Sequence, residues 1–146
     1  MFLDISGASG NSTEKNIFGK MLDIIQDESK WFKGHLSDGP DRGRCILGHM
    51  YEIEGNINLD NYEPSNIVPN DILVDIRDEI LEYSKILASI IKTDFPDVVF
   101  SDLDSLLNVT NFNDHYDTTI DDVRSLLKKA DEIYATQMVN KLEKVM

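Results

Sequence analysis

The chain has one cysteine among 146 residues, Cys45, and therefore closes no internal disulfide. A chain of this length needs none, since it can bury a sizeable core without covalent or metal staples. A lone thiol suits a reducing, cytoplasmic setting. Long apolar runs are also missing. No stretch approaches the ~20 residues of a membrane-spanning helix, and Met1-Phe2-Leu3 passes at once into Asp4, without the basic start and apolar run of a secretory signal. A soluble, intracellular protein with no membrane contact is expected. Basic residues are scarce: 14 Lys and Arg against 27 Asp and Glu leave a net charge of −13. That balance opposes nonspecific attraction to nucleic acid or anionic lipid, so no direct nucleic-acid binding is expected. It is explained either by a basic protein partner or by solubility alone. Phosphate-binding loops and serine-hydrolase elbows are absent, and aromatic residues are not interleaved with basic ones as in single-strand binders.

What the chain does have is concentrated between Trp31 and Tyr51, a stretch with the only Trp, the only Cys and four of the eight glycines. Trp31-Phe32-Lys33-Gly34 follows an amphipathic segment and ends on a glycine, the residue a helix favours where its end requires positive φ, so the first helix is expected to stop there. Residues 37–43, Ser-Asp-Gly-Pro-Asp-Arg-Gly, are turn and loop chemistry. Cys45, Ile46, Leu47, Met50, Tyr51 and Ile53 then recur at helical offsets, with Gly55 placed as a stop, which predicts a short, mostly buried second helix. Cys45 and Gly48 share a small face that would let the Trp31 ring or another helix come close. Cys45 reads first as a buried, inert small residue. Its alternative reading is a nucleophile, activated by a helix N-terminus with Arg42 and Arg44 nearby, using His35, His49 or His115 as base.

Three short patterns, W-x-x-G at Trp31 and Gly34, C-x-L-G at Cys45, Leu47 and Gly48, and N-D followed by T-x-x-D-V at Asn113, Asp114, Thr119, Asp122 and Val123, occur in this order and spacing. Together they resemble a family of small bacterial and phage proteins known as domain of unknown function 6197, over roughly residues 15 to 134. The resemblance implies a helical domain and supplies no activity. In that family a small Ala usually follows the glycine of C-x-x-G, a Trp usually precedes N-D, and a His is frequent one residue after the Thr. This chain has His49, Phe112 and Ile120 at those places, which argues against a family-wide catalytic histidine at 49 or 120.

Periodicity predicts an all-α fold, a single compact domain of about five helices, with residues 1–11 a loosely ordered N-terminus and 12–146 one helical domain. Ser12 or Thr13 caps the first helix, whose apolar face is Ile17, Phe18, Met21, Leu22, Ile24 and Ile25, through about residue 28. Gly55 to Asn70 is a polar connector anchored by Tyr62, Ile67 and Val68. The third helix spans about 71–92 with Ile72, Leu73, Ile76, Ile80, Tyr83, Leu87, Ile90 and Ile91 inward and Ile86 on the flank. A short helix follows, capped by Ser101 and finished by Asn108. Residues 108–118 are Asn- and Asp-rich and read as a turn. Thr119 to Asp122 is a capping-box-like start for a last helix reaching about residue 143, with Val123, Leu126, Leu127, Ala130, Ile133, Tyr134, Met138 and Leu142 inward.

On the third helix, Asp71, Asp75, Asp78, Glu79 and Glu82 share one face, relieved in part by Arg77 and Lys85. This face is the expected binding surface, for a protein with a basic surface. No cofactor and no metal are expected: the Asn111, Asn113, Asp114, His115 and Asp117 cluster lacks the glycine and terminal Glu of a calcium loop, and its Asn113 and Asp114 read as ties between loop and helix. The functional expectation is a small acidic interaction protein, of a kind a phage could encode, that inhibits or mimics nucleic acid at a host protein's basic surface. The alternative is a thiol-dependent enzyme using Cys45 with a histidine.

Overall fold

The computed structural model describes residues 15–33, 43–59, 70–98 and 104–145. The expected loose N-terminus 1–11, Gly34, His35, Arg42 and the connector anchors Tyr62, Ile67 and Val68 lie outside the described residues, whereas the caps expected at Ser12 or Thr13 and at Ser101 are replaced by Asn16 and Asp104, because both helices begin later than expected. Five α-helices follow in order: α1 (Ile17–Ile24), α2 (Ile46–Gly55), α3 (Asn70–Asp94), α4 (Ser105–Asp114) and α5 (Ile120–Val145). Among the described residues no strand accompanies them, and they pack as a compact all-α domain.

Helix α1 is shorter than its apolar stripe suggests because both of its ends are bound to α5. Asn16 caps it, the side-chain oxygen accepting from the backbone N–H of Phe18 and Gly19 at 2.9 and 3.1 Å. The Asn16 amide also donates to Asp131 Oδ1 at 2.6 Å. At the other end, the Arg124 guanidinium donates to the carbonyls of Ile25 and Gln26, at 3.0 and 3.3 Å through Nη2, satisfying acceptors that a helix end leaves free. The start of α1 thus meets residue 131 and its end meets residue 124, so the two helices run antiparallel. Gly19 lies between them; a Cβ there would sit 3.2 Å from Lys15 Cβ and 3.6 Å from Asp131 Oδ2. The chain does not carry the helix to residue 28: it turns after Ile25 into a 3-10 turn at Glu28–Lys30, and Trp31 is extended.

Helix α3 is the long central element and runs antiparallel to α5, with Asp94 paired to Lys129 at one point and Tyr83 stacked edge-on against Tyr134 at another. Phe18 completes that aromatic group, its ring centroid 5.7 Å from Tyr83 and 6.0 Å from Tyr134. Ile76, Ile80, Leu87, Ile90 and Ile91 are buried on the predicted stripe, with Ile72, Tyr83 and Ile86 partly buried against it.

Two further boundaries differ from expectation. Helix α4 begins at Ser105, capped by Asp104, whose Oδ1 accepts from Leu107 N at 3.0 Å. It therefore takes in the Asn-rich residues 108–114 that read as a turn. Tertiary contacts outweigh the weak helix propensity of Asn here: Val109 and Phe112 are fully buried, and Asn111 Nδ2 donates to the Val98 carbonyl at 2.6 Å. At the end of α2 the left-handed residue is Asn56, with φ 52°, one past the Gly55 expected to stop it; Asn is the other residue that tolerates that conformation. The start of α5 is as predicted. Thr119 N donates to Asp122 Oδ2 at 3.0 Å and Asp122 N to Thr119 Oγ1 at 3.2 Å, a reciprocal box built with Asp.

The far half of α5 departs most. Val123, Leu126, Leu127 and Ala130 are buried and Tyr134 partly so, but Ile133, Met138 and Leu142 are exposed at 37%, 40% and 61%. Helix α1 explains it: eight residues span only about 12 Å and lie against residues 124 to 131, so α5 runs on past its only neighbour on that flank among the described residues.

Candidate functional site

Two regions collect the residues that sequence reasoning singled out. The first is a junction centred on the Asn113 side chain, which is 1% exposed. Its Oδ1 accepts from Trp31 Nε1 at 2.7 Å and from Ile46 N at 3.1 Å. Its Nδ2 donates to the Phe32 carbonyl at 3.0 Å and to Asp114 Oδ1 at 2.9 Å. Both lone-pair directions and both hydrogens are used, the full capacity of a side-chain amide. One residue near the end of α4 thereby holds the segment after α1 and the first turn of α2.

Around it the backbone comes close to itself. Trp31 and Arg44 form an isolated parallel bridge, with Arg44 N donating to the Lys30 carbonyl at 2.8 Å and Phe32 N to the Arg44 carbonyl at 3.0 Å. Gly43 is required at this crossing: a Cβ on it would lie 2.9 Å from the backbone of Ser29 and Trp31. Trp31 itself is half-buried, with the Lys33 ammonium 5.5 Å from its ring centroid. Arg44 is buried, its Nε 3.2 Å from Glu52 Oε2, and the same carboxylate oxygen accepts from Leu59 N at 2.8 Å.

Cys45 is the N-cap of α2, its Sγ accepting from Gly48 N at 3.3 Å. The C-x-x-G spacing is that of a cap and its partner, a role that the reading of a shared small face missed. The thiol is not activated. Burial pushes its pKa up from the usual 9.0 to about 11, against the smaller opposing pull of the Gly48 and Leu47 N–H groups. Desolvation of a thiolate outweighs the helix N-terminus, which corrects the expectation of a lowered pKa. Among the described residues neither candidate histidine is hydrogen-bonded to it. His49 is buried, and its Nε2 meets the Lys30 carbonyl at 2.7 Å, so that nitrogen carries the proton. Burial holds its pKa below the usual imidazole range. His115 Nδ1 accepts from Asp117 N at 3.2 Å. Among the described residues no three His, Cys, Asp or Glu side chains are grouped to hold a metal ion.

The second region is a groove of about 480 Å³ between the middle of α3 and the far half of α5. Asp71, Asp75, Asp78, Glu79 and Glu82 are all exposed, and Asp78, Glu79 and Glu82 line this groove, whereas Asp71 and Asp75 do not. Tyr83, Ile86, Ile133 and Tyr134 supply its apolar surface, and Gln137 and Lys141 stand on the α5 side. The Tyr83 hydroxyl donates to Glu54 Oε1 at 2.7 Å; burial and that carboxylate push its pKa well up. Lys85 pairs with Glu82 at 3.3 Å. On the α5 wall Tyr134 packs against the core as expected, whereas Ile133, expected inward because it continues the buried stripe without a break, is exposed.

A family model described as a family of unknown function (DUF6197) matches residues 10–132. The chain belongs to that family. No curated protein matches the chain, and no solved structure does. The family span contains the whole Asn113 junction and the acidic wall of the groove. It ends just before Ile133, so the α5 wall lies beyond it. Among the described residues no helix is long and apolar enough to cross a membrane.

Proposed function

We propose that this chain is a binding protein whose α3–α5 groove takes a basic, amphipathic segment of another protein. The observation that supports the reading is the coincidence of acids and apolar surface in one groove: Asp78 and Glu79, neither of them ion-paired among the described residues, beside Ile86, Ile133 and Tyr134. Carboxylates on a rim steer a cationic partner and set its register, while affinity comes from the apolar side chains it buries. Lys85, paired with Glu82 in the same groove, is the cation an incoming Lys or Arg displaces. If the partner's basic surface is one that meets DNA or RNA, occupancy blocks it by charge mimicry, as a phage-encoded inhibitor of a host protein would.

A fluorescent helical peptide of alternating Lys and Leu turns tests the reading by anisotropy at low and physiological salt. Wild type should bind with a Kd that weakens as salt rises, and the triple variant Asp78→Asn, Glu79→Gln, Glu82→Gln should lose at least tenfold. A charge-matched control, Asp97→Asn, Asp117→Asn, Glu132→Gln, removes three exposed acids elsewhere and should keep wild-type affinity. Equal losses in the two variants would make the attraction a property of net charge and remove the groove from the account.

A further inference from the structure

A second cavity, of about 310 Å³, lies on another side of α3, against Tyr51 of α2 and Leu106 of α4. We propose that it binds a small amphipathic monocarboxylate, the tail among Leu73, Val74, Leu81 and Leu106 and the head on Arg77. This is independent of the acidic groove and does not rest on that reading.

Helix periodicity creates the site. Relative to Arg77, Leu73 and Leu81 are four residues away and Val74 and Ile80 three, so every helical neighbour of this guanidinium is aliphatic. On a helix carrying Asp71, Asp75, Asp78, Glu79 and Glu82, the arginine is set on the face the acids leave free. Among the described residues Arg77 has no side-chain ion-pair or hydrogen-bond partner, in contrast to Lys85. Val74, which lines the cavity, is 71% exposed, an unusual position for a branched aliphatic residue that nothing among the described residues covers.

A pocket that is mostly apolar with a few polar groups is the common form of a small-molecule site, and here Arg77 is the one charged residue, beside Tyr51 and Asn70. The guanidinium is a fixed fork that matches a carboxylate through two parallel hydrogen bonds. One positive charge balances a monoanion; a phosphate dianion would carry a surplus charge beside Asp78, the next residue. Size restricts the tail. At ~30 Å³ for each water-sized group, 310 Å³ holds about ten non-hydrogen atoms, the number in octanoate.

The experiment titrates the full chain with octanoate, and with 1-octanol as its uncharged counterpart, by calorimetry and by methyl NMR. Octanoate should saturate one site and shift the methyl signals of Leu73, Val74, Leu81 and Leu106. Arg77→Gln, an exposed position whose variant is checked by melting, should weaken octanoate at least tenfold and leave octanol unchanged. Arg77→Lys, which keeps the charge and loses the fork, should fall between. Flat titrations, as for a cavity already filled by a second copy or by another part of the chain, would overturn the proposal. So would equal affinity in wild type and Arg77→Gln, or shifts confined to the α3–α5 groove.

Discussion

The Asn113 junction and the α3–α5 groove are opposite kinds of place. At the junction, one amide uses every hydrogen bond it can make on partners from three segments, and the surrounding groups are buried. In the groove, exposed carboxylates stand in water, with Glu82 alone paired among the described residues, and apolar side chains line the open space beside them. The junction lies inside the family span, and one wall of the groove lies outside it. Trp31, Cys45 and Asn113, singled out by the sequence patterns, are residues that hold the chain together. A property that depends on Ile133, Tyr134 or Lys141 belongs to this chain and need not extend to its family.

The strongest way to break this contrast is Asn113→Ala. The substitution strands the Trp31 indole N–H, the Ile46 N–H and the Phe32 carbonyl. With ~1–3 kcal/mol for each buried group left unpaired, and incomplete additivity among neighbours, a loss of about 3 to 5 kcal/mol is expected in chemical denaturation. Trp31→Phe, which removes only the indole donor and keeps most of the ring, should cost less. Wild-type stability in Asn113→Ala would mean that the junction is not what holds α1, α2 and α4 together.

Cys45 offers a sharper test, because its two readings predict opposite signs. The native thiol has a pKa of about 11 against 9.0 when unfolded, so between those values the native state holds the proton more firmly. Its contribution to stability is complete below pH 9 and is lost as pH rises through 11. Two pKa units correspond to about 2 to 3 kcal/mol. Cys45→Ser keeps a good N-cap and does not titrate there, so the stability difference between wild type and Cys45→Ser should change by that amount across the window. Thiol reagents should label native protein slowly at pH 8. Rapid labelling at that pH, or a difference that does not move with pH, would reverse the assignment.

Legibility in the sequence followed locality. The Thr119–Asp122 box, the α3 stripe and the acidic face were readable because each depends on side chains three or four residues apart. The Asn-rich run 108–114 was not, because its helical state depends on Trp31, Phe32 and Ile46, more than sixty residues distant in sequence. The α1 boundary failed for the same reason: Asn16 and Arg124 define it through α5. For α5, the error ran the other way. Ile133, Met138 and Leu142 continue a regular stripe, and periodicity says which face is apolar without saying whether a neighbour reaches it. Arg77 reads in the sequence, with Lys85, as a cation among acids, and of its aliphatic neighbours Leu73 and Ile80 belong to the expected core stripe, which gives no sign of the cavity beside them.

The smallest expected effect concerns the acids themselves. Asp71 and Asp75, Asp75 and Glu79, and Asp78 and Glu82 are like-charged pairs four residues apart on one exposed face, each unfavourable by ~0.2–0.5 kcal/mol. The one ion pair among them, Glu82 with Lys85, has both side chains more than two-thirds exposed and offsets little. Changing Asp75, Asp78, Glu79 and Glu82 to Asn or Gln should therefore raise stability by about 0.5 to 1 kcal/mol at low salt. The gain should vanish near 1 M salt, where screening has shortened to ~3 Å. A contrary result, with the variant less stable than wild type at every salt concentration, would mean that these carboxylates make contacts the fold needs. The contrast with Asn113 would then collapse, since both regions would be structural. A small gain that disappears with salt keeps the two regions distinct: one holds the fold, and the other retains mutual repulsion that a basic partner would relieve.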